Sequence, residues 1–195
     1  PNEDSLLITL ADLYRFQKKY DQAIKYYSDF INAKKYNLSE RWRLFYLRGI
    51  CYERSSQWVL AEIDFLESLK LKSDSPQVLN YLAYGWLEQD LHLDRALQML
   101  QKAYAGNPNS YYIMDSLAWA YYKNNNLDKA VQLMEEVISL APGEAISLDH
   151  LGDIYFALNR KREASYLWKQ AKDLAEPDEN ITESLEKKLE EYYAG

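Results

Sequence analysis

The sequence predicts an all-α solenoid: five two-helix blocks in a row, then one further helix. Three observations carry this. The first is helical spacing: between Tyr111 and Glu144, residues Met114, Leu117, Ala118 and Tyr121 fall at i, i+3, i+4 and i+7. The second is repetition. Adding 34, the difference 145 − 111, turns that set into Leu148, Leu151, Gly152 and Tyr155, and turns Ala130, Met134 and Val137 into Ala164, Trp168 and Ala171. The third is punctuation. The polar break Asn124-Asn125-Asn126 finds its counterpart at Asn159, and Pro142 finds one at Pro177, one place late. A repeat of this length decides the fold before local propensity does.

The first block, about residues 4–37, has Leu7, Leu10, Ala11 and Tyr14 on its first helix face and Ala23, Tyr27 and Phe30 on its second. Lys18-Lys19 marks the turn and Tyr20-Asp21-Gln22-Ala23 opens the second helix. No Pro closes the block, so residues 37–41 read as a slightly longer connection in which Ser39 caps the helix that follows.

The second block, 42–75, places Phe45, Gly49 and Tyr52, then Ala61, Phe65 and Ser68. Arg48 stands where the pattern asks for Leu; either its long stem carries the charge to the surface or Leu47 takes over the packing. The third block, 76–110, places Leu79, Leu82, Ala83 and Trp86, then Ala96, Leu100 and Ala103. Ala83 to Ala96 is 13 residues whereas Ala118 to Ala130 is 12, so one residue is inserted near Leu91-His92-Leu93, which a loop absorbs cheaply. Blocks four (111–144) and five (145–178) are the pair described above. In the last segment, 179–193, Ile181, Leu185 and Leu189 recur at spacing four among Glu183, Glu186 and Glu190, an amphipathic helix that covers the apolar end of the row. No internal boundary reads as a linker, so residues 1–195 are expected to form one array.

Leu151-Gly152, Tyr155, Ala164, Trp168 and Ala171, closed by a Pro, resemble the tetratricopeptide repeat, a helix-turn-helix unit of 34 residues. The resemblance implies a right-handed α-solenoid of five such hairpins plus a capping helix. Small residues stand where paired helices touch, because only Gly, Ala or Ser lets the backbones approach, and aromatics fill the gaps between pairs. DSLAWAYY in block four and LDHLGDIYFALNR in block five are similar to multi-repeat proteins of bacteria, many of them exported to the envelope. That leaves a cytoplasmic or a periplasmic location open. A subclass of the family clamps the acidic tails of chaperones with Lys, Asn and Arg on three adjacent first helices. The matching places here hold Ile8, Asp12, Leu47, Gln77 and Tyr81, so such tails are not the expected ligand.

Composition narrows the function classes. The chain has 195 residues, 48% hydrophobic and 27% charged, as a globular protein does. Its net charge of −7 argues against sequence-independent binding of nucleic acid or anionic membrane, and no apolar run reaches the roughly 18 residues of a membrane span. The acidity belongs to the second part: residues 1–75 carry 12 Lys/Arg against 11 Asp/Glu, residues 76–195 carry 11 against 19. The chain opens at Pro1 without a basic or apolar leader, so any signal peptide is missing or already removed. The lone Cys51 forms no internal disulfide and reads as a buried, inert thiol. No Gly-rich phosphate loop, nucleophile elbow or His cluster is present, so neither enzyme activity nor a cofactor is expected.

In a curved stack the first helix of each pair lines the concave side. The second, fifth, ninth and twelfth places of each block, with the sixth nearby, are therefore expected to face a groove. They include Ser5, Ile8, Asp12 and Arg15, then Arg43, Tyr46, Ile50 and Glu53, and above all Asn80, Tyr84, Tyr112, Asp115, Trp119, Tyr122, Asp149, His150, Asp153 and Phe156. Spare aromatics are the usual anchors of interfaces. Carboxylates among them favour a protein or peptide ligand carrying Lys or Arg, and Asn80 suits an extended backbone because an amide donates and accepts at once. The alternative is that these rings pack sideways and only stiffen the array. Asp149, His150 and Asp153 contain a His–Asp pair three apart that can share a cation, yet no third ligand is in view and a polar groove role is the expectation for His150. The competing function is an assembly module that self-associates or docks through its ends, with Ile181, Leu185 and Leu189, or through its convex face.

Overall fold

The computed structural model describes residues 3–33, 38–177 and 180–194. Among them it contains eleven α-helices and no strand: α1 (Glu3–Phe16), α2 (Tyr20–Asn32), α3 (Leu38–Arg54), α4 (Trp58–Leu71), α5 (Pro76–Glu88), α6 (Leu93–Gly106), α7 (Tyr111–Lys123), α8 (Leu127–Leu140), α9 (Ala145–Ala157), α10 (Lys161–Leu174) and α11 (Thr182–Ala194). These are the helices of consecutive hairpins followed by one more helix. The side chain of Ser5 lies outside the described residues.

Each hairpin turn is made the same way. Lys18, Ser56, Asp90, Asn125 and Asn159 all have positive φ, between 52° and 61°. Each is the fifteenth residue of its block, since 18 − 4, 56 − 42, 90 − 76, 125 − 111 and 159 − 145 all equal 14. One left-handed residue reverses the chain after the first helix, and Asn tolerates that conformation best of the non-glycine residues. The third turn has a second such residue, His92 at φ 49°, which is how the extra residue there is taken up.

By its contacts the chain divides into two compact units, residues 1–85 and 86–195, the division falling inside α5. In the first unit Ala23, Tyr27, Ala61, Phe65 and Leu82 are buried. Glycine is required at Gly49, where a Cβ would stand 2.7 Å from the Phe65 ring, and at Gly85, where it would collide with Trp58. Two expectations change here. Arg48 neither reaches the surface nor gives way. Its Nε and Nη2 each lie 2.7 Å from the Asp64 carboxylate and its Nη1 lies 3.0 Å from Ser28, while Leu47 is buried beside it. The pattern's Leu has become half of an ion pair because Asp64 on α4 answers it. Ser39 falls inside α3 rather than before it, and its side chain lies outside the described residues. Glu40 in the first turn suits the helix dipole. Arg41 donates to the Ile31 carbonyl at 3.2 Å, near the end of α2.

In the second unit Met114, Ala118, Ala130, Met134, Leu148, Leu151, Ala164, Trp168 and Leu185 form one core. Gly152 lets α9 meet α10, since a Cβ there would stand 2.5 Å from the Trp168 ring. Helix α11 closes this core: Leu185 is fully buried, with Ile181, Leu189 and Tyr192 packed around it. The three apolar residues expected to offer an end for docking are therefore already used within the unit.

Candidate functional site

Helix α7 is buried on more than one side, and this governs the site. Every residue from Ile113 to Ala120 is buried, because α6 and α8 pack against the helix and α9 covers a further face. The groove places of an inner first helix are consequently spent largely on its neighbour. Asp115 accepts from His150 Nδ1 at 3.0 Å, and the His150 ring stacks on Trp119 with centroids 4.1 Å apart and planes 13° from parallel. Trp119 stacks in turn on Tyr122 at 4.7 Å and donates its indole N–H to Glu88 at 2.9 Å. Asp115, Trp119 and His150, expected in an open groove, thus form a buried layer that fixes α7 against α9. The same registration recurs in the first unit: Tyr46, fifth in its block, meets Tyr81, sixth in the next, edge to face at 5.5 Å.

The second acidic pair is also engaged. Lys188 of α11 lies 2.6 Å from Asp149 and 2.8 Å from Asp153, and Trp168 donates to Asp153 at 3.0 Å. Burial works against the Lys188 ammonium, but Asp153 and Asp149 outweigh it and raise its pKa. Burial raises the Asp149 carboxyl, Asp153 adds to that, and Lys188 opposes it. Burial likewise opposes the charged His150, yet Asp115 together with Glu88 and Asp149 raises it. The Tyr122 hydroxyl is raised by burial and then by Asp153. The three candidates for sharing a cation do not converge, since His150 turns to Asp115 while Asp149 and Asp153 turn to Lys188. Among the described residues no group of three His, Cys, Asp or Glu is gathered for a metal.

Of the expected groove residues in this unit, those that keep access to solvent are mostly aromatic. Tyr112 is 41% and Phe156 43% exposed, and Tyr122 and Asp153 are half-buried. Phe156 leans on Trp168 at 5.4 Å, so its ring is held in place. In the first unit Asn80 is buried with its Oδ1 unpartnered, Tyr84 is half-buried, and Asp12 accepts from Tyr27 at 2.6 Å. Burial pushes the Cys51 thiol up to about 12, the state of an unreactive thiol.

Three participants escape the repeat pattern: Glu88, Trp168 in its polar role, and Lys188. Lys188 left a trace, a cation beside Leu189 on the apolar stripe of α11. Glu88 and the Trp168 indole N–H left none.

Two family models described as tetratricopeptide repeat match the chain, one over residues 8–76 and one over 92–148. No curated protein matches it in sequence. Among solved structures, MamA 41-end from Desulfovibrio magneticus RS-1 is 18% identical with a TM-score of 0.70, covering 89% of this chain and 96% of that one. YrrB, described as a TPR protein with an unusual peptide-binding site, is 19% identical with a TM-score of 0.65, covering 93% of this chain and 90% of YrrB. The APC/C hetero-tetramer Cut9-Hcn1 gives a TM-score of 0.77 at 18% identity, over 95% of this chain and 35% of that one. At these identities the likeness is one of fold.

Proposed function

This chain belongs to the tetratricopeptide-repeat family, and on that premise we propose that it is a non-enzymatic scaffold that binds a segment of another polypeptide. The binding face is the first-helix side of residues 86–195. The observation that carries the reading is the accessible set Tyr112, Tyr122 and Phe156 on α7 and α9. These rings are left partly in water although the core beneath them is filled, and Tyr122 and Phe156 are braced by Trp119 and Trp168. Rigid aromatics on a preorganised layer supply contact area at low entropic cost. The buried layer of Asp115, Trp119 and His150 serves as the brace and Tyr112, Tyr122 and Phe156 as the anchors. In residues 1–85, the Oδ1 of Asn80 is buried without a partner, with Tyr84 one turn away.

Selection from a displayed peptide library tests this. The wild-type chain enriches peptides, and the Tyr112→Ala/Tyr122→Ala/Phe156→Ala variant, still helical by circular dichroism, does not. Equal enrichment by both chains sinks the reading.

A second reading, self-association, is favoured by a different observation. Val59, Leu60 and Ile63 on α4 are 69%, 42% and 51% exposed, an apolar strip on a second helix. It predicts a mass in solution that rises with concentration and reverts to monomer in Ile63→Asp. It needs neither Leu185 nor its neighbours.

A further inference from the structure

Resting on the proposed binding face, we infer that the Asp149–Asp153 pair is a receptor for a lysine borne on an amphipathic helix, and that α11 is its resident occupant. The chain's own C-terminal helix then competes with a partner for this part of the site.

Helix α11 sits on the second unit as a peptide would. It reaches the core by one stripe, Ile181, Leu185, Leu189 and Tyr192, and Lys188 stands on that stripe while Lys187 stays exposed. The Lys188 ammonium lies between two carboxylates, 2.6 and 2.8 Å away, and 5.8 Å from the Trp168 ring centroid. The two acids are one helical turn apart on α9, so a single ammonium bridges them and two separate lysines are not needed. Asp153 is also held by the Trp168 indole N–H, which aims one carboxylate oxygen before any lysine arrives. Phe156 leans on that same indole, and the Tyr122 hydroxyl feels Asp153, Lys188 and Asp149. The acid pair is thus continuous with the aromatic anchors.

Without Lys188 two carboxylates would face each other in a half-buried site, and like charges held that close are costly. The pair is therefore matched to a cation, and α11 shows which kind of segment carries one in: apolar residues at i, i+4 and i+8 with Lys at i+7, reading from Ile181. A partner helix of that pattern fits the surface α11 now covers. α10 ends at Leu174 and α11 begins only at Thr182, so release of α11 does not require α10 to unwind.

The test uses the full chain and a fluorescein-labelled peptide copying residues 180–194. Lys188→Glu sets a third carboxylate against the pair and releases α11. Lys188→Ala removes the anchor without adding charge. Both variants are expected to bind the peptide at least about tenfold more tightly than wild type by anisotropy. The same peptide with Lys188→Ala should bind the Lys188→Glu chain about tenfold more weakly. Faster amide exchange confined to α11 in either variant supports release. Equal binding by all three chains, or binding indifferent to the peptide's lysine, overturns the inference. If library peptides are then still lost from the Tyr112/Tyr122/Phe156 variant, the binding-face reading stands without it.

Discussion

The Asp115 carboxylate lies 3.0 Å from His150 Nδ1 across a sequence distance of 35 residues, both side chains buried, and the imidazole is stacked flat on Trp119. One ion pair thereby registers α7 against α9.

This pair makes stability depend on pH with a definite sign. Asp115 raises the pKa of His150 above its ordinary 6.5 against the opposing effect of burial. A group with a raised folded pKa stabilises fully below its unfolded value and loses that contribution as pH rises through the folded one. The urea midpoint of the wild type should therefore fall as pH rises above the ordinary histidine value of about 6.5. In His150→Gln the fall should largely vanish. A wild-type midpoint that climbs over this range would contradict the assignment.

The Arg48–Asp64 pair should be costly to halve and cheap to replace. Burial raises the Asp64 carboxyl even with the guanidinium docked on it, whereas for Arg48 the carboxylate outweighs burial, so the gain of the pair and its desolvation largely offset. Asp64→Ala leaves a half-buried guanidinium facing an apolar gap and should cost about 3–5 kcal/mol in denaturant unfolding. Arg48→Leu/Asp64→Leu restores the apolar pattern and should lie within about 1 kcal/mol of wild type. Additive losses in the double variant would show that the two side chains act separately.

Most of the fold was legible because the repeat is enforced by backbone needs that only certain residues meet. Gly152 and Ala164 mark a helix crossing with room for nothing larger, and Asn125 and Asn159 mark a left-handed turn. For the proposed site, only which residues share a helix face was legible, not which partners they take. Periodicity identifies which residues share a face of one hairpin, but Asp115 finds His150, and Asp149 finds Lys188, in the next element of the row. A rule pairing the fifth place of one block with the sixth of the next would have matched Tyr46 to Tyr81 and Asp115 to His150. No rule drawn from one block alone would have buried Trp119.

Overpacking tests the register of the fifth block. Ala164 is fully buried on α10, and Gly152 faces the Trp168 ring with no space for a methyl group. Ala164→Leu and Gly152→Ala should each destabilise by about 1–3 kcal/mol, read as a lowered urea midpoint. Wild-type midpoints for both would mean the crossing is misassigned.

The turn residues offer a gain instead. Ser56 is exposed at φ 60°, a conformation that a side chain other than Asn or Asp holds at a cost. Ser56→Gly should raise stability by about 0.5–1 kcal/mol, net of the greater freedom glycine gives the unfolded chain. A loss of that size would show that the serine side chain matters more than its backbone strain.

The binding face itself is tested most directly by titrating one library-selected peptide against wild type and against Tyr122→Ala/Phe156→Ala, with helicity checked in parallel. Anchor aromatics of an interface contribute about 2 kcal/mol or more each, so the loss of two should cost about 4 kcal/mol and lower affinity by roughly 700-fold while the fold persists. An unchanged Kd in a folded double variant would contradict the account.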